Sequence, residues 1–271
     1  MLRHLMLLVL VACSSKTDAP APAPTPALSF VPAELANQLA GANLVLAVNF
    51  ERTDLSPLLL VDWLPPNAGC ARDLVSSLGV AVFLISADAS ATTVHATKLP
   101  ERETRACLDQ LMPVIGGATG VGPDGSYELR VGEHRFSLTW KNGVVTAGRQ
   151  GAPAVGRGAP SPEMRTLIGH VPATANVFYL AMAYPDHKIK NLIGWAQIVG
   201  DAIEMQMRAE GTEPGVVQPW LQTFIDDFNA GAEAKHIPVD HRWFNGTLAE
   251  PVGKIEGRLP MSVFAAAFQG R

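Results

Sequence analysis

Charge, cysteine and recognisable catalytic motifs are all scarce in this chain of 271 residues. Charged side chains make up 17% and aromatic ones 7%, and there are three cysteines. A hydrophobic fraction of 48% sets the low charge apart from disorder, which pairs low hydrophobicity with high charge. No lysine or arginine cluster stands out, and the formal net charge is −4. The basic surface that nucleic-acid binding needs is therefore missing, and no nucleic-acid partner is expected. There is no P-loop, CxxC pair or kinase signature, and Ser76 and Ser77 lack a GxSxG elbow. These absences lower the expectation of an enzyme without removing it, because catalytic residues meet in space.

Two motifs match in form and fail in context. Gly120-Val121-Gly122-Pro123-Asp124-Gly125 fits GxGxxG. A dinucleotide loop needs a strand before it and a helix after it, whereas here Pro-Asp-Gly makes a turn and a strand follows. His236, Asp240 and His241 form the tightest histidine cluster. It lacks HExxH spacing, and Pro238 breaks any helix that could align the ligands, so no metal and no cofactor are expected. Asp226 and Asp227 are helix neighbours that do not face each other, which speaks against a catalytic carboxylate pair.

The N-terminus is the most informative stretch. Arg3 precedes an apolar run from Leu5 to Ala12, the layout of an export signal. Its eight residues fall short of the roughly 20 that a membrane-spanning helix needs. Leu10-Val11-Ala12-Cys13 resembles the bacterial lipobox. That resemblance implies cleavage between Ala12 and Cys13, a diacylglyceryl thioether on Cys13 and acylation of its new amine. Two or more chains anchor stably where one does not, at roughly 0.8 kcal/mol per buried CH₂. Residues 14–27 are polar and then alternate proline with small residues, a semi-rigid spacer of about 3.1 Å per residue. Ser14 after the cysteine points to the outer membrane, facing the periplasm or cell surface, by the same resemblance.

An oxidising compartment favours a Cys70–Cys107 disulfide, which would staple two predicted helices. Two separate buried thiols are the alternative.

The body is expected to be α+β, with antiparallel sheets packed against helices in two tandem, related β-α-β-β-α halves. The organisation is signal 1–12, lipidated linker 13–27, and halves 28–155 and 156–271, joined by a Gly/Ala/Pro-rich connector from Gly151 to Pro162. Val31-Pro32-Ala33 followed by Ala42-Asn43 and an apolar run is echoed by Val171-Pro172-Ala173, Ala175-Asn176 and another run. A second echo links Lys98-Leu99-Pro100 to Arg258-Leu259-Pro260. Hairpins are expected at Ala87–Ser90, Asn142-Gly143 and Glu250–Gly253.

Residues 189–205 carry apolar positions at helical spacing on two sides. With a later helix bearing Trp220 and Phe224, they suggest a groove lined by Trp195, Ile198, Trp220 and Phe224. A core helix sandwiched between neighbours explains the same pattern. The functional expectation is a membrane-anchored binding or structural interaction module of the cell envelope, partnered by an envelope protein or an apolar ligand. The alternatives are a carrier of an apolar ligand in the helical groove, and an envelope hydrolase whose site is not visible in sequence.

Overall fold

The computed structural model describes residues 30–52, 69–88, 90–152, 155–156, 158–184, 188–234, 236–237, 240 and 243–263. Ala12, Cys13, the linker, His187, Pro238 and His241 lie outside the described residues. The elements are α1 (Ala33–Ala36), β1 (Leu44–Asn49), α2 (Gly69–Ser77), β2 (Val80–Ile85), β3 (Thr92–Thr97), α3 (Glu101–Val114), β4 (Gly117–Val121), β5 (Tyr127–Val131), β6 (His134–Lys141), β7 (Val144–Arg149), α4 (Pro162–Ile168), β8 (Val177–Tyr184), β9 (Ile189–Val199), β10 (Ala202–Gly211), α5 (Val217–Glu233), β11 (Phe244–Ala249) and β12 (Val252–Pro260).

Among the described residues, 12 strands join one antiparallel sheet, in the order β11-β12-β10-β9-β8-β1-β2-β3-β7-β6-β5-β4. The α+β class is as expected, but the two halves share one sheet. β1 and β8 sit at its middle, and their near-continuous apolar sequences suit strands buried on both faces. On one face α3 packs beside Tyr127, Leu138 and Val145, while α5 covers Tyr179, Leu192 and Ile255 through Val217 and Leu221. On the other face Phe30, Leu35, Leu39 and the α4 residues Met164, Leu167 and Ile168 pack against Val82, Leu84, Phe178 and Leu180. Phe30 meets Phe178 edge to face at 5.0 Å, the geometry that ring quadrupoles favour.

The register shows internal symmetry. Leu44 pairs with Ala181 and Val48 with Val177, and the centre of this ladder is Leu46 opposite Tyr179. Asn43 and Asn176 hold matching places beside it. The Asn43 N–H donates to the Ile85 carbonyl (2.9 Å), and that of Asn176 donates to Ala196 (2.9 Å). The Asn43 carbonyl accepts from Met182 N–H (2.7 Å), and that of Asn176 accepts from Asn49 N–H (2.8 Å). A pseudo-twofold axis thus passes through the Leu46–Tyr179 pair and exchanges β1 with β8, β2 with β9 and β3 with β10. It also exchanges β7 with β12 and β6 with β11; α3 and α5 share their place in the chain, each after the third strand of its half, but α3 packs on β4 and β5 and α5 on β10, β11 and β12.

The first sequence echo falls on strands this axis exchanges. The second does not, because β3 corresponds to β10 and the echo named β12. The larger correction concerns residues 189–205, which form β9, the tight turn at Gly200 and the start of β10 instead of a helix. A central strand buried on both faces carries apolar side chains at every spacing, including i, i+3 and i+4, so a helical stripe and a two-sided strand look alike. The second half therefore has no helix between its first two strands among the described residues, unlike the first half with α2. The extra segment between the first two strands therefore belongs to the first half.

The three expected hairpin turns are present. Asn142 and Gly143 take φ of 52° and 77°, the left-handed pair that a two-residue hairpin turn needs. Cys70 and Cys107 form a disulfide joining α2 to α3. β4 went unpredicted, since Gly-Ala-Thr-Gly-Val has little strand propensity.

Candidate functional site

A cavity of about 970 Å³ opens on the sheet face opposite α3, over β3, β5, β6 and β7. Register explains why it is hollow. Across four strands, Glu128, Ser137, Gly148 and Thr93 stand in one row, and Thr139, Thr146 and His95 in the next. Directly opposed residues share a face of the sheet. The floor is thus built mainly of Ser, Thr and Gly, too short to fill the space. The walls come from Asn37 and Gln38, from the turn at Asp124–Ser126, from Gln150 to Ala152, and from Val155 and Gly156.

His95 is the deepest polar group, with 3% exposure. Its Nδ1 lies 2.9 Å from Thr146 Oγ1, while Nε2 has no hydrogen-bond partner. Burial pushes its pKa down to about 4, because the charged imidazolium is poorly solvated there. The ring is therefore neutral at pH 7. Gly156 closes over it with φ of 86°, and a Cβ there would lie 2.7 Å from Nε2.

The cavity's carboxylates already accept protein donors. Asp124 Oδ1 accepts from Ser126 Oγ (2.6 Å) and Ser126 N–H (3.1 Å), which hold its pKa below the usual carboxylate range. Glu128 Oε1 accepts from Gln150 Nε2 at 2.7 Å. No carboxylate reaches His95, so its only polar partner among the described residues is a threonine hydroxyl. A hydroxyl–imidazole–carboxylate chain for nucleophilic hydrolysis is not assembled here. The arrangement offers hydrogen-bonding groups to a polar ligand.

The structure does not bring the four expected groove residues together. Trp195 pairs with Phe178 and packs on the face covered by α4. Ile198 belongs to a cluster with Leu46, Val177 and Ile203 on the opposite face, and Trp220 and Phe224 belong to α5, which packs on that face. The sheet stands between Trp195 and the other three, because Trp195 and Ile198 are three apart on one strand. Trp195 instead borders a smaller cavity of about 210 Å³ with Gln206, Trp243 and Glu256. Among the described residues, no group of three His, Cys, Asp or Glu could hold a metal, and no helix is long and apolar enough to cross a membrane.

Sequence reasoning missed the cavity and His95. The available signal was Thr92-Thr93-Val94-His95-Ala96-Thr97, where alternation puts a histidine on the inward side of a strand.

No protein-family model matches the chain, and no curated protein sequence matches it. The fold is similar to solved structures of TP0453 from Treponema. Crystal form III aligns over 92% of this chain and 98% of that one, with a TM-score of 0.58 and 10% identity. Crystal form I aligns over 90% and 96%, with a TM-score of 0.51 and 9% identity. At these identities the likeness concerns the fold alone.

Proposed function

We propose that this chain is a lipid-anchored binding protein of the bacterial cell envelope that holds a polar ligand in the His95 cavity. Acylated Cys13 ties it to the membrane, and residues 14–27 keep the body on the order of 40 Å from the surface at a polyproline rise. The cavity carries the reading: a large hollow, floored by short hydroxyl side chains and closed by a neutral imidazole, with no catalytic chain inside.

Two measurements test it. The full-length chain is expressed in a bacterial host, and envelopes are separated into membrane and soluble fractions. The parent protein is expected in the membrane fraction and Cys13→Ser in the soluble one. A Cys13→Ser protein that stays with the membrane would sink the anchor. The cavity is tested by native mass spectrometry of protein purified from envelopes. The parent is expected to carry a small-molecule adduct that Ser137→Trp, which fills the floor, has lost. Equal spectra from the two folded proteins would remove the cavity from the account.

A further inference from the structure

β4 is the last strand of the sheet on the side of the first half, and one of its edges pairs with nothing among the described residues. The hairpin that follows shows which backbone groups this leaves open. The Gly122 N–H donates to the Ser126 carbonyl (2.8 Å) and the Gly125 N–H to the Gly122 carbonyl (3.0 Å), so Gly122 and Ser126 are a hydrogen-bonded pair. Bonded and unbonded pairs alternate along an antiparallel ladder. The N–H and C=O groups of Val121, Thr119 and Gly117 therefore point away from β5, toward the open edge. Proteins usually blunt such an edge with proline, charge or a bulge. Gly117-Ala118-Thr119-Gly120-Val121 has neither proline nor charge, and its pairing with β5 runs without a register shift.

The side chains around this edge are complementary to themselves. Across the ladder Arg130 stands opposite Ala118, and Glu128 stands opposite Gly120. These four and Arg135 border one recess. Arg130 makes no ion pair among the described residues, although Glu128 lies two positions away on the same face. Glu128 Oε1 accepts from Gln150 instead. Of the five large apolar side chains exposed among the described residues, three gather here. Val114 (50% exposed) and Ile115 (52%) end α3 beside Gly117, and Val121 (68%) ends β4.

We propose that β4 pairs antiparallel with β4 of a second copy of this chain, Thr119 opposite the partner's Thr119. A twofold axis through that pair sets Gly117 opposite the partner's Val121, and all the open edge groups of these residues then bond across the joint. Opposed residues share a face, so one row reads Arg130, Ala118, the partner's Gly120, the partner's Glu128. Three strand spacings of about 4.8 Å put the outer two Cα atoms about 14 Å apart. An extended arginine and an extended glutamate span that distance over the small Ala118 and Gly120. The axis makes this contact twice, as an isologous interface requires. On the other face Val121 comes to rest beside the partner's Gly117, near the partner's Val114 and Ile115. The opposite edge of the sheet lacks such complementarity, because Lys254 and Glu256 on β12 pair with each other at 2.5 Å. The axis stands normal to the sheet, so both His95 cavities open on the same side. The inference is independent of what those cavities bind.

The test uses the full-length chain purified from envelopes in detergent. Opposed residues of a bonded pair have Cα atoms about 5.5 Å apart, within the range a disulfide spans. Under mild oxidation Thr119→Cys is expected to give a linked dimer, and Leu248→Cys, on the edge strand β11, is expected to give none. In sedimentation equilibrium the parent is expected as a dimer. Arg130→Glu should weaken that dimer at least tenfold, since like charges then face each other across the joint. Combining it with Glu128→Arg should restore the dimer, because the exchange leaves opposite charges in the same row. A monomeric parent, a Leu248→Cys link as ready as the Thr119→Cys one, or a double variant as weak as Arg130→Glu alone would each overturn the inference. So would open polymers, which mark β4 joined to β11, or a different protein held at the edge. None of these outcomes bears on the Ser137→Trp comparison, so the cavity stands or falls separately.

Discussion

Gly156→Ala tests how tightly the connector is fitted over His95. Gly156 has φ of 86°, and a Cβ there would overlap Leu84 Cδ1 and lie 2.6 Å from the Gln38 carbonyl oxygen and 2.7 Å from His95 Nε2. Two costs add. A left-handed backbone with a Cβ costs roughly 1–2 kcal/mol. Forcing a methyl into a filled site costs roughly 1–3 kcal/mol more. Gly215 supplies the control, since it also has φ of 86° but open space where a methyl would stand. Both variants share the first cost and the unfolded-chain gain of about 0.4–1 kcal/mol from replacing glycine. Their difference isolates the steric contribution, expected at about 1–3 kcal/mol. Urea denaturation of the oxidised protein at pH 7 measures it. If Gly156→Ala and Gly215→Ala unfold at the same midpoint with the same slope, the connector is not pressed against His95 and the cavity's closed end is wrong.

Two further outcomes are expected. Lowering the pH should destabilise the protein through His95. Above pH 6.5 the imidazole is neutral in both states; below it the unfolded chain takes up a proton while the folded ring resists until about pH 4. Stability attributable to His95 therefore falls over that window by about 3 kcal/mol, at 1.36 kcal/mol per pKa unit. Denaturation midpoints at several pH values should show a steeper acid decline for the parent than for His95→Gln, and parallel curves would contradict the buried neutral ring. Reduction should loosen the α2–α3 end. The disulfide spans 37 residues, and constraining a loop of that size in the unfolded chain stabilises by about 4 kcal/mol. Paired Cys70→Ser and Cys107→Ser substitutions should lower the unfolding midpoint accordingly, and an unchanged midpoint would reject the loop-entropy account.

Local chemistry was the part of the fold that sequence could reveal. Asn142-Gly143 announces its hairpin because few residue pairs accept two left-handed conformations. Alternation in Ser126–Val131 and His134–Trp140 marks β5 and β6, whose outer faces are wet. The same alternation vanishes where both faces are buried, so β9 and the start of β10 passed for helix. The cavity was hidden for a different reason. Its floor combines residues from β3, β5, β6 and β7, each an unremarkable serine, threonine or glycine in its own strand. Only register reveals that they stand side by side. The groove proposed from Trp195, Ile198, Trp220 and Phe224 failed on the same point, since a strand places residues three apart on opposite faces.

The pseudo-twofold axis explains why the cavity forms at one end of the sheet. It carries Thr93, Gly148 and Ser137 onto Gln206, Glu256 and Asn245, and His95 and Thr146 onto Arg208 and Lys254. The backbone ladders correspond, but most side chains in the second half are longer. They also engage one another. Lys254 pairs with Glu256 at 2.5 Å, and Arg208 Nη1 lies 2.6 Å from His170 Nε2. That end therefore encloses about 210 Å³ where the first half encloses about 970 Å³. One backbone plan thus yields a face closed by ion pairs and a face left open by short hydroxyls. Replacing Thr93 and Ser137 by the Gln and Asn of their counterparts would make the open end resemble the closed one without altering the sheet. The hollow is therefore a property of side-chain choice on the first half, and that is why its lining, and not the shared architecture, carries the functional argument.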